Sequence, residues 1–280
     1  MKYLKICCVS PHPPILVPEV GGRETTKVEK SSQALERLAD EIETIGAETL
    51  IVMSPHSPIF ADAFSVKTAP LLYGSFRMFG ASQVMIQSEP DLQLIDAVIE
   101  SAGDHGIPVE KVTGGPVREG GDLDHGILVP LHFLARKRYP LVCLSMSLLD
   151  YRIHYRLGIA LREAVERTGR TAVFIASGDM SHRLKPGAPA GYDKAGELFD
   201  RTIVDIIESG EYNRLFALDQ MMIDDAGECG LRSIFTLAGT VDGYGVSSTV
   251  LSYEGPFGVG YMVARVEPGE PDQKRSLFAQ

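Results

Sequence analysis

Apolar residues fall along this chain in two rhythms. Short unbroken runs, closed by Ser, Gly or Pro, read as buried strands: Cys7–Val9, Thr49–Met53, Leu141–Met146 and Thr171–Ala176. Between them, apolar positions recur at helical spacing. From Glu24 to Ile45 the members are Val28, Leu35, Leu38, Ile42 and Ile45, with Glu, Lys and Arg between them and Gly46 behind. Further helices are expected over Asp91–Ala102, Ile127–Ala135, Tyr151–Arg167, Lys194–Glu208, Asn213–Leu218 and Ser233–Val241. Ala63–Phe79, broken by Pro70 and Gly74, reads as short strands or a hairpin. Val246–Glu254 and Phe257–Val266 flank a Gly-Pro turn and read as a closing hairpin.

Strands alternating with helices imply parallel pairing and right-handed crossovers. The expected fold is α/β, a single domain with a mostly parallel or mixed central sheet flanked by helices. Its boundary is expected at residue 266, with residues 267–280 a flexible tail.

Composition narrows the function classes. A net charge of -10 with no basic run argues against nucleic acid and anionic membrane as partners. The N-terminal apolar run stops at Val9, too short for a leader core, and no apolar stretch reaches spanning length. A cytoplasmic protein is expected. Cys7 and Cys8 are strand neighbours pointing to opposite faces, and no Cys-x-x-C pair exists, so reduced thiols are expected.

The candidate chemistry sits where the apolar runs end. Ser10-Pro11-His12-Pro13-Pro14 and Ser54-Pro55-His56-Ser57-Pro58 repeat one design. Proline stops each strand and stiffens the backbone beside the histidine. Ligands of open α/β sheets bind outside the carboxyl ends of strands. Two imidazoles at one end of two neighbouring strands can hold one metal ion; the plainer alternative is a pair of turn histidines. His182 follows the strand at Thr171–Ala176 in Ser177-Gly178-Asp179-Met180-Ser181-His182 and repeats that placement. His125 follows Glu119-Gly120-Gly121-Asp122-Leu123-Asp124, with Asp124 as N-cap. The positive end of the helix dipole there favours a neutral ring. Asp224–Arg232 opens a helix and offers Glu228 and Cys229; the plainer readings are an anion at a helix start and a small buried thiol. His132 is expected in the core, and His105 and His154 in solvent. The glycines of Gly255–Gly260 have the wrong spacing for a phosphate loop.

Two histidines and a carboxylate with open positions form the facial triad of non-haem Fe(II) oxygenases. The five motifs Ser-Pro-His-Pro-Pro, Ser-Pro-His-Ser-Pro, Leu-Asp-His-Gly, Gly-Asp-Met-Ser-His and Glu-Cys-Gly-Leu-Arg, in this order, resemble the class III extradiol ring-cleavage dioxygenases, the LigB-like superfamily. The likeness runs from His12 to Tyr261 and is nearest an uncharacterised branch related to Memo-like and AMMECR1-associated proteins. It implies Fe(II) held by His12, His56 and Glu228, and His125 and His182 as catalytic acid/base groups. It implies O2 and a catechol-type diol as substrates, and a homodimer or a small helical partner subunit. Memo-like relatives use a cysteine, which makes Cys229 the alternative ligand and copper or zinc the alternative metals. Glu228 is favoured on hard-ligand grounds. A redox or interaction module of the Memo type is the runner-up function, and a zinc hydrolase the third.

Overall fold

A computed structural model of the protein describes residues 1–113 and 123–278. The Glu119–Asp122 approach to His125 lies outside the described residues. In chain order the elements are β1 (Leu4–Ser10), a one-turn α1 (Pro18–Gly21), α2 (Glu29–Thr44), β2 (Thr49–Ser54), β3 (Phe64–Lys67), β4 (Leu72–Phe76), β5 (Ala81–Ser88), α3 (Leu92–Asp104) and β6 (Val109–Val112). After them come α4 (His125–Leu134), β7 (Leu141–Ser145), α5 (Tyr151–Thr168), β8 (Ala172–Ser177), α6 (Lys194–Ser209), α7 (Gln220–Ala226), α8 (Leu231–Thr240), β9 (Tyr244–Glu254) and β10 (Tyr261–Pro271).

Eight strands form one mixed sheet in the order β6-β3-β7-β2-β8-β1-β10-β9. Its centre, β7-β2-β8-β1, is parallel, as the alternating pattern predicts. β10 and β9 extend it antiparallel beyond β1, and β3 pairs antiparallel with β7. The period of two along β1 decides the layers. Cys7 and Val9 pack on one face with residues of α3, α5, α6 and α8; Ile6 and Cys8 pack on the other with α2 and α4. Ile51 and Met53 against Leu50 and Val52 repeat the split in β2. Both faces are covered, which is why these strands read as unbroken apolar runs.

β1 and β2 are not neighbours. The crossover from β1 passes over β8, which lies between them in register with both, so the expectation of adjacent histidine-bearing strands is corrected. All four central strands end in a buried serine at the same edge: Ser10, Ser54, Ser145 and Ser177. That edge therefore carries a row of hydroxyls.

Other expectations shift for local reasons. The helix expected from Glu24 begins as 3-10 turns over Gly22–Val28 and becomes α only at Glu29. The hairpin region divides: β3 joins the main sheet, while β4 pairs with β5 in a separate two-stranded sheet. β5 and β6 carry mostly polar or half-exposed residues, so apolar patterning does not signal them. The helix expected over Asn213–Leu218 is instead a 3-10 segment, Tyr212–Ala217. The chain beyond Glu267 is not a loose tail along its described length: β10 continues to Pro271, and Phe278 packs against Tyr155 and Phe216. His154 is buried, not solvated. Its Nε2 accepts from Ser147 N–H at 3.3 Å, its Nδ1–H donates to Asp150 O at 3.1 Å, and its ring meets Phe64 edge-on. No helix among the described residues is long and apolar enough to cross a membrane.

Asp200 on α6 fixes the segment that leaves β8. Its buried carboxylate accepts Ser181 N–H at 2.8 Å and Tyr253 O–H at 2.6 Å. Burial lifts this carboxyl to about 6 despite both hydrogen bonds. The folded state therefore holds the Asp200 proton more tightly than the unfolded chain. This contribution to stability is full below the unfolded value of 3.8 and is lost as pH rises through about 6. The difference amounts to about 3 kcal/mol. Urea unfolding of wild type and Asp200→Asn at pH 4 and pH 7 should show wild type losing stability relative to the variant across that interval. Parallel pH curves would show that Asp200 titrates alike in both states.

Candidate metal centre

The centre is assembled where the serine-ended strands stop. His12 follows β1 through Pro11 and is buried, its backbone N–H donating to Asp179 Oδ1 at 2.9 Å. His56 follows β2 through Pro55. Its Nε2 lies 3.0 Å from His12 Nε2, with the rings edge to face. The third donor arrives from the turn before α8. Gly178 and Gly230 meet there so closely that a Cβ on Gly178 would fall 2.1 Å from Gly230 Cα. The two backbones pair: Cys229 N–H donates to Asp179 O at 3.3 Å, and Asp179 N–H donates to Cys229 Sγ at 3.3 Å. This close approach sets Cys229 Sγ 3.7 Å from His12 Nε2. His12, His56 and Cys229 offer ligand atoms all within 4.8 Å of one another.

The sequence reading favoured Glu228 over Cys229 at this position. The structure brings Cys229 to the two imidazoles, while Glu228 Oε2 accepts Leu231 N–H at 2.6 Å in the first turn of α8. Successive side chains at this turn diverge, and the helix start takes the acid. Burial raises the Glu228 carboxyl to about 7, opposed by that hydrogen bond and by Arg232.

One proton decides the state of His12. Its Nδ1 lies 2.9 Å from Ser177 Oγ, and Ser177 gives its single hydroxyl proton to Gly126 O. Ser177 can then only accept from His12 Nδ1–H. The neutral ring presents a bare Nε2 lone pair toward His56 and Cys229, as a metal ligand must.

The electrostatics keep the cluster uncharged. Burial drives the His12 pKa well below its ordinary value, and His56, His125 and His182 each lower it further. Burial takes His125 down to about 4, with His56 adding to the effect and Asp124 opposing it. The helix dipole invoked from sequence gives the same direction, but burial is the larger cause. His56 is lowered by nearby protein and raised by Asp124; the residue is exposed overall, which tempers the shift. Burial holds the Cys229 thiol well above its usual range, and a bound cation would reverse that preference. The bare His12 Nε2, the His56 Nε2 beside it and a convertible thiol fit a first-row divalent ion or copper.

The acid/base candidates stand beside this group. His125 opens α4 and stacks on His56, with centroids 4.1 Å apart, and lies 5.4 Å from His12. His182 lies near enough to His12 and His56 for their charges to interact. Its buried Nδ1 has no hydrogen-bond partner among the described residues; backbone groups of Gly227 and Met180 approach the ring outside hydrogen-bonding geometry. Asp124 occupies the N-cap position of α4 without a side-chain cap bond, because its carboxylate accepts from Ser54 and Ser57. Phe79, at the end of the turn between β4 and β5, meets the His125 ring at 5.6 Å and walls that side. Sequence patterning did not single out Phe79, Ser177 or the Asp124 contacts. The shared serine at the strand ends was the available signal for the second.

His132 packs edge-on against Phe76 and Phe133, and His105 pairs with Glu163 at 2.8 Å.

A protein of Clostridium acetobutylicum, CA_C1420, is 37% identical over 270 residues; the match covers 95% of this chain and 58% of that protein, so the chain spans little more than half of its relative's length. The 2-aminophenol 1,6-dioxygenase beta subunit of a Pseudomonas species is 24% identical over 248 residues, 78% of each chain. The crystal structure of the uncharacterized protein JW3007 from Escherichia coli K12 superposes with a TM-score of 0.65 at 15% identity, covering 94% of this chain and 99% of that one, which is a likeness of fold. Residues 6–264 match the family described as LigB, the catalytic LigB subunit of aromatic ring-opening dioxygenase. With a match over nearly its whole length, the chain belongs to the LigB family.

Proposed function

We propose that this chain is a metal-dependent dioxygenase that opens an aromatic ring beside two adjacent hydroxyls, or a hydroxyl and an amino group. The carrying observation is the convergence of His12 Nε2, His56 Nε2 and Cys229 Sγ on one point, with the neutral His125 ring stacked against it. His12 and His56 would hold the ion, and the third donor comes from Cys229, with Glu228 the alternative. Bound ferrous ion would supply joint coordination of substrate and O2 and an electron path between them.

The protein's own side chains account for the rest. His125 is uncharged at neutral pH and can accept a phenolic proton. His182 offers an unpartnered buried Nδ1 that can hold a proton or a hydrogen bond. His56 is exposed, which leaves an approach from solvent, and Phe79 gives that approach an aromatic wall. The 24% identity to a 2-aminophenol 1,6-dioxygenase beta subunit supports a catechol or aminophenol class and assembly with a second subunit or a second copy. A cytoplasmic setting belongs to the same proposal.

The Cys229 position favours a second reading. Thiolate with two imidazoles suits copper or zinc better than ferrous iron. On that reading the chain is a Memo-type redox or interaction module without ring opening.

Anaerobic loading with Fe(II), then O2 uptake over a catechol and aminophenol panel, separates the two. The first reading expects Fe(II)-dependent uptake; the second expects none, with copper or zinc retained instead. His12→Ala should weaken metal binding by more than about 100-fold, beyond what changes behind the ligands cost. Cys229→Ser should do likewise, whereas Glu228→Gln should retain metal; the reverse pattern would return the ligand role to Glu228. His125→Ala should keep the metal and slow turnover by about 10²–10⁴-fold.

A further inference from the structure

The loop that carries His56 has little packing to hold it. His56 and residues 58–60 are exposed, although Pro55 and Ser57 on either side of the histidine are buried. A ligand on such a loop needs an anchor if its ring is to meet His12 at a fixed distance.

Asp124 supplies that anchor. Oδ1 accepts the Ser54 hydroxyl at 2.6 Å, and Oδ2 accepts the Ser57 hydroxyl at 2.6 Å. Both are in the range of strong charge-assisted O–H···O bonds. Ser54 Oγ in turn accepts the backbone N–H of His56 at 3.1 Å. One carboxylate thus grips the chain on both sides of the histidine. The next anchor is Ser65 Oγ, which donates to Pro58 O. The space for this grip depends on Gly126, where a Cβ would fall 2.3 Å from Ser54 Oγ and 3.0 Å from Asp124 Oδ1. An aspartate that caps a helix commonly spends its carboxylate on the helix N–H groups. Asp124 instead leaves Ile127 N–H and Leu128 N–H to its own carbonyl.

We propose that Asp124 is the positioning residue of His56: it clamps Ser54 and Ser57 and thereby sets the His56 ring for the ion. The proposal rests on the reading of His12, His56 and Cys229 as a metal site, and it adds why His56 is ordered there. A competing role is charge alone, since Asp124 raises the pKa of both His56 and His125. The two roles part at Asp124→Asn, which keeps a side chain able to bond both serines but removes the charge.

The test uses Co(II) alone as probe, titrated into the metal-free full chain while the thiolate-to-metal absorption and the d–d bands are followed. Asp124→Ala should lower Co(II) affinity about 10–100-fold and alter the d–d bands. Ser57→Ala, which cuts one arm, should give a smaller loss, and Asp124→Asn should stay within a few-fold of wild type. Wild-type affinity and spectrum in Asp124→Ala would overturn the proposal, as would equal losses in the Asn and Ala variants, which would assign the effect to charge. If wild type itself binds no Co(II), the metal reading fails. The clamp is then read in the metal-free protein by ¹H–¹⁵N spectra of labelled histidine. There His56 should give one sharp tautomer pattern in wild type and Asp124→Asn and an averaged one in Asp124→Ala. Identical His56 spectra in all three would overturn it, and folding of each variant is checked by the unchanged signals of buried His154.

Discussion

Ser177 has one hydroxyl proton, and where it goes determines what His12 can do. Given to Gly126 O, it leaves Ser177 Oγ as acceptor for His12 Nδ1–H and strips His12 Nε2 of any proton. The constraint joins three elements: β8 contributes the serine, β1 delivers the histidine, and α4 supplies the carbonyl. It holds only because β8 runs between β1 and β2. Had the crossover from β1 placed β2 directly beside it, Ser177 would not stand between the two histidine-bearing strands. The same strand continues into Gly178 and Asp179, whose backbone brings Cys229 to the ring.

Much of this was legible in the sequence because strand ends are marked twice, by loss of the apolar run and by proline. His12, His56 and His182 could be placed at a sheet edge on that basis, and His125 at a helix start. The order of strands was not legible. Local patterning states that a strand is buried on both faces but not which strand lies beside it, and so β8 between β1 and β2 went unforeseen. His154 differs from expectation because a histidine in a helix of mixed polarity gives no sign of which face it occupies; its burial follows from the Ser147 amide in the preceding loop and from Phe64, far from it along the chain. The preference for Glu228 over Cys229 had another basis. It was argued from metal chemistry, whereas side-chain direction at the start of α8 separates the two, and an acid at a helix start has a competing use there.

The folded chain pays for this site in polar groups kept without full solvation. Four imidazoles cluster with their pKa values lowered, Asp179 and Asp200 are buried with carboxyl groups raised to about 7 and about 6, and the His182 Nδ1 has no partner among the described residues. Structural needs explain part of this, since Asp200 holds Ser181 and Asp179 holds the His12 amide. Beside them stands a hydrogen bond between two imidazoles, in which His56 Nε2–H can donate to the bare His12 Nε2 at 3.0 Å.

A cation between those nitrogens would take the place of the proton they share. The cluster resists protons, because each added charge would be desolvated and would repel the neighbouring rings. A divalent ion meets the same surroundings differently. Bound there, it would be held by the imidazole lone pairs, would favour the Cys229 thiolate that burial alone disfavours, and would bring the nearby Asp179 carboxyl back toward its anionic form. Thiol and carboxyl both sit within reach of His12, Sγ at 3.7 Å and Oδ2 at 4.0 Å from its Nε2. One cation would therefore engage the imidazoles, the thiol and the carboxyl together, which gives the burial of so many titratable side chains at this sheet edge a common physical reason.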